Sequence, residues 1–217
     1  MATQVLTKSY LHEARASSNI HHCMEIYDQW AATYNDEVGN KDQDYVAPTL
    51  VASAALNSSS GSIHSVLDAG CGTGLVGQAL AMAGAKTIDG LDLSPAMLDM
   101  AKRTGVYRKL VQGDLTRGID MADEGYDVIV CVGTFTLGHV GPQPALREFV
   151  RVVRRGGVVA ATVLEEIWVS GGFRDEVETL EEEGRVVVLR REMIDYVKGH
   201  GDKAMLFILR RVDEVKG

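Results

Sequence analysis

The stretch VLDAGCGTGLVG, Val66 to Gly77, places a carboxylate, Asp68, ahead of glycines at 70, 72, 74 and 77. Glycine is needed where a Cβ would meet a ligand or where φ is positive, so such a loop lets a ligand come close to backbone. Two further acids follow, Asp92, 18 residues after Gly74, and Asp114 within Gln112-Gly113-Asp114-Leu115. A carboxylate at Asp92 suits two ribose hydroxyls, and one at Asp114 suits the exocyclic amine of adenine. Gly72 to Gly77 also satisfies G-x-G-x-x-G, the dinucleotide pattern. The loop therefore has three readings: NAD, S-adenosylmethionine, or turns with no ligand. Asp68 separates the first two. Just before the glycines it would repel a pyrophosphate, whereas it suits S-adenosylmethionine, which carries an α-ammonium, a sulfonium and no phosphate.

The candidate general base is His139, in GTFTLGHVGPQP, because histidine titrates near neutral pH. It competes with a solvent-facing or helix-capping role. Glu165 and Glu166 follow a strand and are weaker candidates, and Trp168 is a candidate pocket wall. The run His21-His22-Cys23 cannot set three ligands on one side of a helix, and no metal site is expected. The three cysteines are far apart and odd in number, which fits neither a disulfide framework nor a zinc spacing.

Strands alternating with helices must position these groups. Strands are expected at Ile63–Asp68, Thr87–Leu93, Tyr107–Gln112, Asp127–Val132 and Val158–Leu164, with two closing strands, Val186–Leu189 and Ala204–Arg210, pairing antiparallel. Helices are expected from Ile20 to about Val38, over Thr49–Leu56, from Leu75 to Gly84, after Ser94-Pro95, over about Gln143–Arg155 and around Phe173–Leu180. The cations of RVVRR, 151–155, then complement a helix C-terminus, and the acidic run at 175–183 is a solvated helix face. The alternation implies a three-layer, mostly parallel α/β sheet. Residues 1–60 read as an N-terminal helical extension and 61–217 as one ligand-binding unit.

With 217 residues, 46% hydrophobic and 24% charged, the chain has the composition of one globular domain. The net charge of −8 disfavours nucleic acid. No apolar run is long enough for a membrane span, and a cytoplasmic monomer or homodimer is expected.

VLDAGCGTG, GLDLSPAMLDMA, QGDL, YDVIVCVG and RVVRRGGVV resemble the successive motifs of class I S-adenosylmethionine-dependent methyltransferases, over roughly residues 63–164. YDQWAATYNDEV, IWVSGGF and GHV are similar to the Williams–Beuren-region methyltransferase-like group. The resemblance implies a Rossmann-like methyltransferase fold with a seven-stranded sheet and an antiparallel closing strand. It implies methyl transfer from S-adenosylmethionine to a small-molecule acceptor by in-line displacement. A cofactor-binding protein without methyl transfer is the alternative, and a nicotinamide-dependent oxidoreductase a more distant one. By the same resemblance Asp68, Gly70, Cys71, Gly72 and Gly74 surround the methionine part, Asp92 binds ribose, and Leu93 and Met97 pack near adenine. Gly113, Asp114 and Leu115 follow the adenine edge, and Cys131 and Val132 lie beside the sulfonium. Tyr27 and Tyr34 match aromatics that close over the methionine carboxylate, or are plain core residues.

Overall fold

Every strand of the alternating region ends near one rim of a single sheet, and that rim is where the glycine loop lies. A computed structural model of the chain describes Tyr10, Glu13, Ser17 and residues 20–38, 44–137 and 140–212. Val66–Ala69 (β1), Ile88–Asp92 (β2), Tyr107–Gln112 (β3), Tyr126–Phe135 (β4) and Val153–Leu164 (β5) run parallel. Val186–Val197 (β6) forms the edge, and Asp202–Arg211 (β7) lies antiparallel between β5 and β6. The order is β3-β2-β1-β4-β5-β7-β6. The expected mostly parallel seven-stranded sheet with one antiparallel closing strand is what forms.

Alternation along the strands divides the core. In β4, Ile129, Cys131 and Phe135 face one side, and Val128, Val130 and Val132 the other. The first side is covered by Ala145–Val152 (α6), Glu165–Trp168 (α7) and Phe173–Glu182 (α8), through Leu146, Phe149, Trp168, Phe173, Val177 and Leu180. The second is covered by Ala47–Ser58 (α3) and Leu75–Met82 (α4), through Val51, Ala55, Val76 and Leu80. Pro95–Arg103 (α5) starts as its Ser94-Pro95 signal implies, with Ser94 Oγ accepting from Met97 N at 3.2 Å. These are the expected three layers. Among the described residues no helix is long and apolar enough to cross a membrane, and no acid, histidine and cysteine cluster fits a metal ion.

Three expectations need correction. The helix expected over about 143–155 stops at Val152, because Val153 already pairs with Tyr126 and the ladder resumes at Val158 with Val128. Arg154 is therefore a strand residue bound to Asp127, and Arg151 is spent on Glu148, Asp123 and the carbonyls of Ile119 and Met121. The helix from Ile20 breaks after Trp30, giving Ile20–Trp30 (α1), a turn, and Tyr34–Val38 (α2). In the acidic run, Glu176 is buried against Arg147 and Gln143, whereas Glu178, Glu181, Glu182 and Glu183 are not buried.

Candidate active site

A cavity of about 960 Å³, open to solvent, lies at the carboxyl ends of the first four strands. Parallel α/β sheets carry ligands there, where the strand order reverses between β1 and β4. Its floor runs from Gly113, Asp114, Leu115 and Thr116 beyond β3, through Leu91, Asp92 and Leu93, to Gly70, Cys71, Gly72 and Thr73 after β1. It ends at Val132, Gly133 and Thr134 in β4. Met24, Tyr27, Tyr34, Tyr45 and Val140 close it from above.

Asp92 ties two of these segments together. Oδ2 accepts from Gly72 N at 2.8 Å and Oδ1 from Ser94 N at 2.9 Å. Burial raises its pKa above the usual carboxylate range, against the backbone N–H groups of Ser94, Gly72 and Leu93. Three N–H groups on a carboxylate with about four acceptor directions leave room for a further donor. Gly72 has φ +52 and nothing within 4 Å of where its Cβ would lie, so protein atoms do not fill that space. Gly70 is glycine for another reason: a Cβ there would lie 2.0 Å from Thr134 Oγ1. Its absence lets the loop after β1 sit against the end of β4.

Asp68 does not line the cavity. It alternates with Leu67 and Ala69, which face the α6 side, and so its carboxylate turns beneath α4. There Tyr107 Oη donates to Oδ2 at 2.7 Å, while Oδ1 is buried without a hydrogen-bond partner. Burial pushes its pKa up to about 7, Tyr107 and the N–H of Gly77 lower it, and the charge of Asp92 raises it. The glycines above make room for that phenol. A Cβ on Gly77 would lie 2.3 Å from Tyr107 Cζ and Oη, one on Gly74 3.2 Å from Cε2, and one on Gly90 3.0 Å from Cε1. Gly74 is accordingly the N-cap of α4 over Tyr107, at φ +96, and not part of the wall.

The roof is aromatic. Trp30, 2% exposed, stacks on Tyr10 and Tyr27 at 6.0 Å and meets Tyr34 edge-on at 4.6 Å. Tyr27 and Tyr34 thus pack on Trp30 and also line the cavity. Ser94 Oγ donates to Asp28 Oδ1 at 2.8 Å, which fastens α1 to α5.

The structure therefore gathers Tyr27, Tyr34, Gly70, Cys71, Gly72, Asp92, Leu93, Met97, Gly113, Asp114, Leu115 and Val132 around one space. Asp114 is at its rim, with Oδ1 accepting from Thr116 N and Oγ1 at 2.9 and 2.6 Å and Oδ2 facing Arg117. Cys131 is not in the wall: it is fully buried on the α6 side of β4, one residue out of phase with Val132. His139 lies outside the described residues. Sequence reasoning missed Tyr107, Tyr45 and Thr134. No motif marks them, and only a hydrophobic-plus-phenol residue at the start of β3 hinted at Tyr107.

A Rossmann-like sheet with a cavity over a glycine loop and an acid ending β2 defines a nucleotide-cofactor domain. Residues 66–157 match the model of a methyltransferase domain. Human methyltransferase-like protein 27 is 34% identical over 142 residues, 64% of this chain and 56% of that protein. The malonyl-[acyl-carrier protein] O-methyltransferase of Yersinia pestis is 36% identical over 102 residues, 46% of this chain and 37% of that protein. The matched regions thus span about half or less of these relatives. The TehB-like methyltransferase structure from Corynebacterium glutamicum superposes with a TM-score of 0.62 at 22% identity, over 85% of this chain and 97% of that one, and shares the fold. Residues 66–157 thus carry a methyltransferase domain by similarity, and the chain resembles the class I S-adenosylmethionine-dependent methyltransferases, the group of methyltransferase-like protein 27 among them. Enzymes of this class take S-adenosylmethionine as methyl donor.

Proposed function

We propose that this chain binds S-adenosylmethionine in the cavity and methylates a small-molecule acceptor held beside it. The observation that carries the reading is the pairing of Asp92 with Gly72. A carboxylate with acceptor directions to spare stands beside a glycine whose Cβ position opens on empty space. That arrangement fits a ribose lying over backbone. Leu93, Met97, Gly113 and Leu115 supply a flat apolar slot for a base, with Asp114 at its edge. Gly70, Cys71 and Gly72 supply close backbone for the methionine part, under Tyr27 and Tyr34. Asp68 serves this loop from beneath, through Tyr107.

When bound, the cofactor supplies a methyl group already activated on a sulfonium. The residues of the chain have only to align, enclose and exclude water. The aromatic roof and the Asp28–Ser94 bond enclose the space, and the β4 end leaves room for an acceptor. A charge of −8 supports a small-molecule acceptor over nucleic acid.

Calorimetric titration with S-adenosylhomocysteine tests the reading. Asp92→Ala removes a charged acceptor of a ribose hydroxyl, worth about 1.5–3 kcal/mol, so affinity should fall about tenfold to a hundredfold. Unchanged affinity removes Asp92 from the site. Binding of NAD without S-adenosylhomocysteine sinks the assignment. Transfer of labelled methyl into a metabolite extract distinguishes an enzyme from a protein that only binds.

A further inference from the structure

Asp68 and Asp92 stand on neighbouring parallel strands. Asp68 pairs in register with Gly90, two residues before Asp92 on β2. Side chains two residues apart on a strand share a face, so both carboxylates lie on the side covered by α3 and α4, with Val66 and Ile88. Asp92 lines the cavity, held by the N–H groups of Gly72 and Ser94. Asp68 is fully buried, and its Oδ1 has no hydrogen-bond partner. It precedes by two residues the segment Gly70-Cys71-Gly72 that floors the cavity. The groups that act on the two acids are Tyr107, backbone N–H groups and, on Asp68, the charge of Asp92; none is a cation.

The rest of the wall adds no positive charge. Among the described residues that line it, the other ionisable groups are Asp114, Cys71 and the phenols Tyr27, Tyr34 and Tyr45. Asp114 faces the exposed Arg117, which leaves Asp68 and Asp92 as the uncompensated pair. Tyr45, hydrogen-bonded to Tyr196 at 3.1 Å, is held well above the usual phenol pKa by burial first and stays neutral. The groups that face Asp68 from β3, the loop after β1 and β4 are Tyr107, Cys71 and Cys131; burial raises all three, so they stay protonated. Two carboxylates with no counter-charge are costly to hold in a dry site, and a cation entering it offsets that cost.

We propose that Asp68 and Asp92 act as a charge filter, which makes the cavity favour the cationic methyl donor over the neutral spent cofactor, Asp68 acting through the floor without touching the ligand. The proposal rests on the S-adenosylmethionine reading of the cavity. The donor carries an ammonium, a carboxylate and a sulfonium, one net positive charge. As the acceptor's electron pair takes the methyl, the S–C bonding pair returns to sulfur, and S-adenosylhomocysteine is a thioether with no net charge. The two ligands differ only in that methyl and its charge. Contacts to adenosine and to the amino-acid part therefore cancel in the ratio of their affinities, and the field of the carboxylates remains.

Calorimetric titration with S-adenosylmethionine and S-adenosylhomocysteine, at about pH 7.5 and about pH 5.5, is the test. The wild type should prefer S-adenosylmethionine by about tenfold at the higher pH. Asp68, raised by burial to about 7, is protonated at the lower one, where the preference should fall to about threefold or less. Asp68→Asn keeps the shape and removes the charge, so it should give the lower ratio at both pH values and leave S-adenosylhomocysteine affinity within about twofold of wild type. The wild-type pH series carries the test if that variant does not fold. Equal or tighter binding of S-adenosylhomocysteine by the wild type at about pH 7.5, a ratio that does not change with pH, or a wild-type ratio in folded Asp68→Asn overturns the proposal and leaves the cofactor reading standing. Failure of both ligands to bind the wild type overturns that reading instead, and the proposal with it.

Discussion

Tyr107→Phe removes the oxygen that donates to Asp68 and that the N–H of Gly77 also approaches. Asp68 Oδ1 already lacks a hydrogen-bond partner, and Oδ2 would lose the phenol. The phenyl ring still fills the space that Gly74, Gly77 and Gly90 leave, so packing is unchanged and the effect isolates the hydrogen bond. Its size depends on the charge of Asp68. A carboxylate raised by burial to about 7 favours the folded state below the usual carboxylate value of 3.8, and this contribution is lost as pH rises through about 7. Tyr107 itself stays protonated, its pKa held far above the usual phenol range by burial first and then by the charge of Asp68.

At about pH 5.5 Asp68 is protonated and the bond joins neutral groups, worth about 1 kcal/mol. At about pH 8.5 Asp68 is ionised in the wild type and the bond is charge-assisted, worth about 1.5–3 kcal/mol. The variant also loses a group that lowers the pKa of Asp68, so it takes up a proton on folding over a wider pH range. The destabilisation by Tyr107→Phe should therefore rise from about 1 to about 2–3 kcal/mol between these two pH values. Urea unfolding of both proteins at each pH measures it. A loss below about 0.5 kcal/mol at both, or a larger loss at the acid value, refutes the account of a buried, titrating Asp68 held by Tyr107.

Gly77→Ala drives a Cβ to 2.3 Å from the Tyr107 phenol, so it should cost about 1–3 kcal/mol of stability in thermal or urea unfolding. Most of that cost should vanish in a Tyr107→Ala background, where the obstructing ring is gone. Asp127 accepts from the N–H groups of His64 and Ser65 at 2.8 Å and is bound by Arg154, fixing the entry to β1. Burial raises its pKa, but Arg154 and those N–H groups outweigh it and leave a net lowering. Its contribution is therefore present above the usual carboxylate range and lost as pH falls through the lowered value. Asp127→Asn should cost about 1–3 kcal/mol at neutral pH, and the gap to wild type should narrow on acidification below about pH 4.

The parts of the cavity wall legible in the sequence are the glycines and the acid that end strands. Gly70, Gly72, Asp92 and Gly113 stand at strand ends, where spacing alone brings them to one rim. The fold was legible for the same reason, since apolar runs and their turns repeat with the strands. What the sequence hid depends on partners distant in the chain. Helix α6 looked longer because Arg154 and Arg155 continue its composition, yet pairing of Val153 with Tyr126 claims the backbone for β5. Tyr45 lies outside regular structure, and its partner is 151 residues away.

Asp68 shows the same division within one loop. Its place before the glycines suggests a carboxylate facing the ligand, but strand alternation turns the side chain under α4, away from the cavity. The glycines of VLDAGCGTGLVG therefore have separate causes. Gly72 opens on the cavity and Gly70 admits Thr134, whereas Gly74 clears Thr104 and the Tyr107 ring and Gly77 clears the Tyr107 phenol. The match of Gly72–Gly77 to a dinucleotide pattern follows from this second requirement, for a Cβ on Gly77 would strike a tyrosine of this chain's own β3. A loop can carry such a spacing because of what lies beneath it, so the wall facing the ligand has to be read from the residues that open on empty space.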